Sequence, residues 1–233
     1  MKKLFVSAVC IAAACSAANA EPYVGLNLIY DNFQLDKSFG GTITDYALIL
    51  DGGLGDFASK DLYPQHSFGA SLNAGYNFSE HFGLEAYFQY NLNNSVDENV
   101  AGAKIWDAKS NMMSGGLDVM GYLPLTNSLH LIGTVGAGYY HFETETKILP
   151  DAGIEGVSRN IKNHENHLGI RMGLGVQYDV NEDVSVRALG RYITWKSDDS
   201  YSLYKYMDPI NFYDDMTPVD GIWEISAGVQ YKF

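Results

Sequence analysis

Trp223-Glu-Ile-Ser-Ala-Gly-Val-Gln-Tyr-Lys-Phe233 is the stretch that decides the fold. Apolar residues fall at every second position: Trp223, Ile225, Ala227, Val229, Tyr231 and Phe233. Between them lie Glu224, Ser226, Gly228, Gln230 and Lys232. Successive side chains of a strand point to opposite faces, so this segment has one apolar face and one polar face. A soluble sheet could carry the same stripe. Two features assign it to lipid instead: the stretch closes on an aromatic residue, and the other end of the chain reads as an export signal. Strands cross a bilayer only as a closed barrel, because an open edge would leave backbone groups unpaired in hydrocarbon. The expected structure is therefore a β-barrel in the outer membrane of a Gram-negative bacterium, its apolar face turned to lipid.

The export signal begins with Met1-Lys-Lys, continues through the apolar stretch Leu4–Cys15, and closes on the small-x-small site Ala18-Asn-Ala20. It has the three parts of a secretory signal peptide. Residues 1–20 are read as that signal and residues 21–233 as one barrel domain, with lipoprotein processing at Cys15 as the alternative. Cys10 and Cys15 both leave with the signal, so neither a disulfide framework nor a cysteine metal site is expected. The formal net charge of −13 argues against a nucleic-acid partner. No mature segment approaches the roughly 18 consecutive apolar residues of a membrane helix. No cofactor is expected.

Outward from the terminal strand, the same alternation recurs. It predicts strands over about Tyr23–Asn32, His66–Phe78, Phe82–Leu92, Asn111–Leu123, Leu129–Phe142, His167–Tyr178 and Val184–Trp195, eight with the last. Short turns are expected at Ser79–His81, Pro124–Ser128 and Asp179–Asp183. Long loops are expected at Phe33–Gln65, Asn93–Ser110, Glu143–Asn166 and Lys196–Asp220. An up-and-down barrel with both termini in the periplasm has short turns inside and long loops outside. Outward aromatics gather at the strand ends. Tyr76, Phe78, Phe82, Tyr178, Tyr231 and Phe233 fall at the turn end, and Tyr30, Phe88, Tyr90, Tyr139, Tyr192 and Trp223 toward the loops. Two such belts suit amphipathic rings at the two membrane interfaces.

Inward positions carry Glu85, Asp118, Arg171, Arg187, Arg191, Glu224 and Lys232. The interior of an eight-stranded barrel is just filled by side chains, and ions held there must pair. Glu85 is the fourth residue of the third strand and Arg187 the fourth of the seventh. Equal depth on facing walls predicts a salt bridge between them, with Asp118 and Arg171 nearby.

The strands resemble the transmembrane domain of the outer membrane protein A family. The likeness runs through Phe82-Gly-Leu-Glu-Ala-Tyr87, Leu123-Pro-Leu-Thr-Asn-Ser-Leu129, Gly175-Val-Gln-Tyr178 with Val186-Arg187, and Ser226-Ala-Gly-Val-Gln-Tyr-Lys-Phe233. The resemblance implies that the inward Glu85 and Arg187 pair inside the barrel. It also implies that Tyr231 and Phe233 form the signal read by the barrel-assembly machinery. Met120, Thr134 and Gln177 depart from the family's charged lumen positions, and the resemblance covers the barrel without a peptidoglycan-binding domain.

A catalytic site is not expected. Asn163-His-Glu-Asn-His167, with His141 on the neighbouring strand, is the best local cluster. His164 and His167 are an odd number of residues apart and face opposite sides of a strand, so the cluster reads as a solvated strand end with no assigned metal. The acidic run Asp198, Asp199, Asp208, Asp214, Asp215 and Asp220, and the glycine-rich Asp51–Asp56, read as solvated loop and turn.

The expected role is structural and non-enzymatic: a monomeric barrel that displays its loops to host or neighbouring-cell surface molecules. Outer-membrane lipid and lipopolysaccharide would surround it. A narrow channel for small solutes or ions is the second possibility, and a lipid A-modifying enzyme the third.

Overall fold

The computed structural model describes residues 21–35, 64–100, 103–148, 159–195 and 219–233. They form eight strands: β1 (Glu21–Leu35), β2 (His66–Ser79), β3 (Phe82–Val100), β4 (Ala103–Pro124), β5 (Leu129–Ile148), β6 (Arg159–Asp179), β7 (Val184–Trp195) and β8 (Val219–Lys232). Each pairs antiparallel with its neighbours in sequence, and β1 pairs with β8 to close the barrel. The signal segment 1–20, the acidic run through 218 and Asp51–Asp56 lie outside the described residues.

The barrel is apolar outside and polar within. Along β8, Trp223, Ile225, Val229, Tyr231 and Phe233 are exposed, whereas Glu224, Ser226 and Gln230 are buried. Leu28, Leu168 and Leu174 are 72%, 77% and 68% exposed, values that make sense only if something other than water covers them. Aromatics reinforce one another at both rims. Tyr231 meets Phe233 edge-on at 5.1 Å, and Tyr192 lies 4.7 Å from Trp223.

The three tight turns share one device. Ser79 Oγ accepts from the amides of His81 and Phe82. Thr126 Oγ1 accepts from those of Ser128 and Leu129. Asn181 Oδ1 accepts from those of Asp183 and Val184. A short polar side chain that bonds backbone two and three residues on is the chemistry that reverses a chain locally. These turns fall where the sequence places them.

Two of the expected long loops are corrected. Asn93–Ser110 and Glu143–Asn166 are mostly strand: β3 and β4 pair as far as Val100↔Ala103, β4 and β5 as far as Trp106↔Ile148, and β5 and β6 as far as Ile148↔Arg159. The β2–β3 ladder ends at Gly69↔Asn91 and the β6–β7 ladder at Gly169↔Trp195. Four strands therefore run on past the rim as one wall, by about nine residues or roughly 30 Å of strand. Alternation cannot reveal this part. Once both faces of a strand meet water, nothing requires one of them to be apolar, and the hydrogen-bond ladder alone continues the sheet.

Candidate functional site

The lumen is layered. At the turn end, Met120, Tyr122, Ile132 and Leu189 form a buried apolar floor. At the loop end, Phe33, Met112, Tyr140, Phe142, Ile193, Trp195, Val219 and Ile222 form a lid. Trp195 is central to the lid: it lies 5.6 Å from Phe142, 5.9 Å from Tyr140 and stacks on His167 at 5.0 Å. Inward Phe, Trp and Ile at the top of the barrel depart from a polar interior. The polar-inside rule holds for mid-barrel, and what signalled the lid was inward bulk at strand ends.

Between floor and lid lies a ladder of six charges. Arg187 donates to Glu85 through Nη1 at 2.6 Å and Nη2 at 2.9 Å, a bidentate fork. Arg191 Nη2 lies 4.0 Å from Glu85 Oε1, the oxygen that Arg187 Nη2 also reaches, and its Nη1 donates to Glu224 Oε1 at 2.5 Å. Glu224 Oε1 also accepts from Arg171 Nη2 at 3.4 Å, and Arg171 Nε lies 3.4 Å from Asp118 Oδ2. The order is Arg187, Glu85, Arg191, Glu224, Arg171, Asp118, with signs alternating. All six are at most 3% exposed. Of the four residues singled out in the sequence, Glu85 and Arg187 meet directly, and Arg171 and Asp118 form the far end. Arg191 and Glu224 join the two ends.

Local folding explains the positions. Glu85 and Asp118 are direct cross-strand partners on β3 and β4, a like-charge pairing that disfavours the sheet by itself. Three guanidiniums from β6 and β7 offset it. Tyr23 and Asn73 each donate to Glu85 Oε2 at 2.9 Å, so this carboxylate receives four hydrogen bonds. The Arg171 guanidinium carbon lies 3.8 Å from the centre of the Tyr87 ring, whose hydroxyl meets that of Tyr140 at 3.1 Å. Asp31 is held by amides, Gln89 Nε2 at 3.0 Å and Asn91 Nδ2 at 2.6 Å. Room for the ladder comes from glycine. Gly136 lies between Asp118 and Arg171 in register, and a Cβ there would collide with Asp118 Oδ1 and the Leu117 carbonyl. Gly75 likewise makes space for the Tyr23 ring.

At the turn-end mouth of the lumen, His130 Nε2 and Lys232 Nζ contact Asp179 at 3.2 and 3.1 Å. His164 faces outward beside Glu143 and His141, whereas His167 faces the lid beside Trp195. Tyr231 and Phe233 lie on the outer face.

A closed barrel with a greasy exterior and an ionic interior is the inverse of a soluble protein, and it defines an integral membrane barrel. Residues 4–233 match the model of the outer membrane protein beta-barrel domain, and the chain belongs to that family. Solved structures share the fold at low identity. A major outer membrane protein from Thermus thermophilus is 13% identical with a TM-score of 0.53, covering 92% of this chain and 100% of that one. The outer membrane protein OprG from Pseudomonas aeruginosa is 16% identical with a TM-score of 0.50, covering 92% and 95%. Neisserial surface protein A is 14% identical with a TM-score of 0.50, covering 92% and 99%. No curated protein matches this sequence. The protein is an integral outer-membrane barrel.

Proposed function

We propose that this barrel is a non-enzymatic, non-conducting scaffold that displays its extracellular end. The observation that carries the proposal is the wall of β3, β4, β5 and β6, which runs on beyond the rim as paired strands. A paired sheet holds contact residues more rigidly than a loop does, and a rigid scaffold beneath is where recognition residues are usually mounted. Host or neighbouring-cell surface molecules are the proposed partners. The termini face the periplasm, residues 1–20 are the cleaved signal, and Tyr231 and Phe233 carry the assembly signal. Below the rim the β1–β8 pairing closes the sheet within one chain, and the protein works as a monomer.

The layered lumen weighs against the channel. An ion entering it would have to pass an apolar lid, a self-neutralised ladder and an apolar floor. His167, which stacks on Trp195 under the lid, is turned away from outer-leaflet lipid, which weighs against lipid hydrolysis there.

The test shortens the wall. Residues Ser95–Lys109 and Glu145–Lys162 are each replaced by Asn-Gly, a pair suited to a two-residue hairpin. Folding is checked by the shift in gel mobility between unboiled and boiled protein. Cells carrying the shortened barrel should lose attachment to host-cell or matrix surfaces while the barrel still folds. Attachment equal to that of the intact protein would refute the display role.

A further inference from the structure

One cluster lies outside the ladder and has no part in the display proposal. On the outer face, just past the aromatic rim, β4, β5 and β6 bring three rows together. Tyr139 pairs with Leu168, His141 pairs with Met113 and Asn166, and Glu143 pairs with Asn111 and His164. One donor atom from each of His141, Glu143 and His164 lies within 4.8 Å of the others. The ladder between the strands sets their separation, so the three do not depend on loop conformation.

Two ring nitrogens converge on one carboxylate oxygen. His141 Nε2 and His164 Nδ1 each lie 3.6 Å from Glu143 Oε1. That is beyond the usual N–H···O length of about 2.7–3.2 Å. The two rings are nearly parallel, 9° apart, with centroids 6.0 Å apart. His141 Nδ1 lies 2.7 Å from Asn166 Oδ1, so the ring N–H donates there and Nε2 keeps its lone pair. Asn111 Nδ2 donates to Glu143 Oε2 at 3.1 Å, leaving Oε1 toward the two rings. Outer hydrogen bonds that fix a ring's tautomer and a carboxylate's orientation are what metal-ligating side chains ordinarily have.

We propose that His141, Glu143 and His164 form a binding site for one divalent zinc-class ion on the outer face at the membrane surface. Zinc bonds of about 2.0–2.2 Å in a tetrahedron place ligand atoms roughly 3.3–3.5 Å apart. The two 3.6 Å separations approach this, and the two ring nitrogens lie within 4.8 Å of each other. Two imidazoles with a single carboxylate favour zinc, copper or nickel over calcium, which takes six to eight oxygens. Lys109 and Lys162, one outward row further on beside Glu145, also disfavour a purely ionic calcium site. Three protein ligands leave a fourth position open on the solvent side, filled by water.

The test is calorimetric titration of the folded mature chain in detergent micelles with zinc chloride. One zinc per chain is expected. His164→Ala, Glu143→Gln and the double variant His141→Ala/His164→Ala should each weaken binding at least about tenfold. Asn166→Ala, which removes no ligand, should weaken it by about 10–100-fold through the lost support of His141. His81→Ala and His130→Ala should leave it unchanged, and millimolar calcium should not displace the zinc. Folding of each variant is read from the gel shift on boiling. If the histidine variants fail to fold, Glu143→Gln and Asn166→Ala decide the matter. Zinc affinity unchanged in the ligand variants, or no zinc bound by the intact barrel, would overturn the proposal.

Discussion

Removing Glu85 should be the most damaging single change to the ladder. Glu85→Ala deletes both short bonds from Arg187 and strands a guanidinium that is only 3% exposed. It also leaves the Tyr23 hydroxyl and the Asn73 amide without their acceptor. Breaking one side of a buried ion pair costs about 3–5 kcal/mol, because the remaining charge keeps its desolvation cost. The second neighbour, Arg191 at 4.0 Å, loses a counter-charge but keeps Glu224, so the effect stays within that range. At about 1.4 kcal/mol per factor of ten, the folding constant drops by roughly two to three and a half orders of magnitude. Urea titration of the barrel in lipid vesicles, followed by tryptophan fluorescence, measures this. The double change Glu85→Leu/Arg187→Met replaces both charges by apolar groups of similar size and should recover much of that loss, leaving about 1–3 kcal/mol for the Tyr23 and Asn73 donors that still lack Glu85. A Glu85→Ala cost below about 1 kcal/mol would refute the ladder's structural role. So would single-residue costs that add within about 0.5 kcal/mol in the double variant.

Other perturbations separate the layers. Gly136→Ala should destabilise by about 1–3 kcal/mol as its methyl displaces Asp118. Gly133→Ala, whose nearest heavy atom would be 3.9 Å away, should be close to neutral by the same titration. Trp195→Ala should cost about 3–5 kcal/mol by loosening the lid. In planar bilayers neither it nor the parent should pass steady current, because the ladder still fills the lumen below; a conducting Trp195→Ala barrel would place the whole barrier in the lid. Leu174→Arg puts a charge on the lipid face near mid-strand and should cost about 2–4 kcal/mol in bilayers. If the change is neutral there, that face does not meet hydrocarbon.

Most of the barrel was legible because lipid imposes the strictest periodicity a strand can carry. Wherever one face meets hydrocarbon and the other a packed lumen, the residues must alternate, as Leu168, Ile170, Met172 and Leu174 do against Arg171. The turns were legible because Ser79, Thr126 and Asn181 each reverse the chain through local hydrogen bonds. Depth counting from those turns put Glu85 opposite Arg187 because both strands begin at the same interface.

The chain by itself determined the number of strands, their faces and the turn that joins each inner pair. These are local properties, and period-two burial records them residue by residue. Three things were decided only in the folded molecule. The ladder's order depends on which guanidinium reaches which carboxylate across the lumen, with Arg191 and Glu224 linking two pairs whose positions in sequence are unrelated. The projecting wall depends on neighbouring strands satisfying one another's backbone where no alternation is required. The outer histidine cluster depends on register: Glu143 meets His164 only because β5 and β6 pair at that offset. A shift of one residue would turn either side chain to the opposite face.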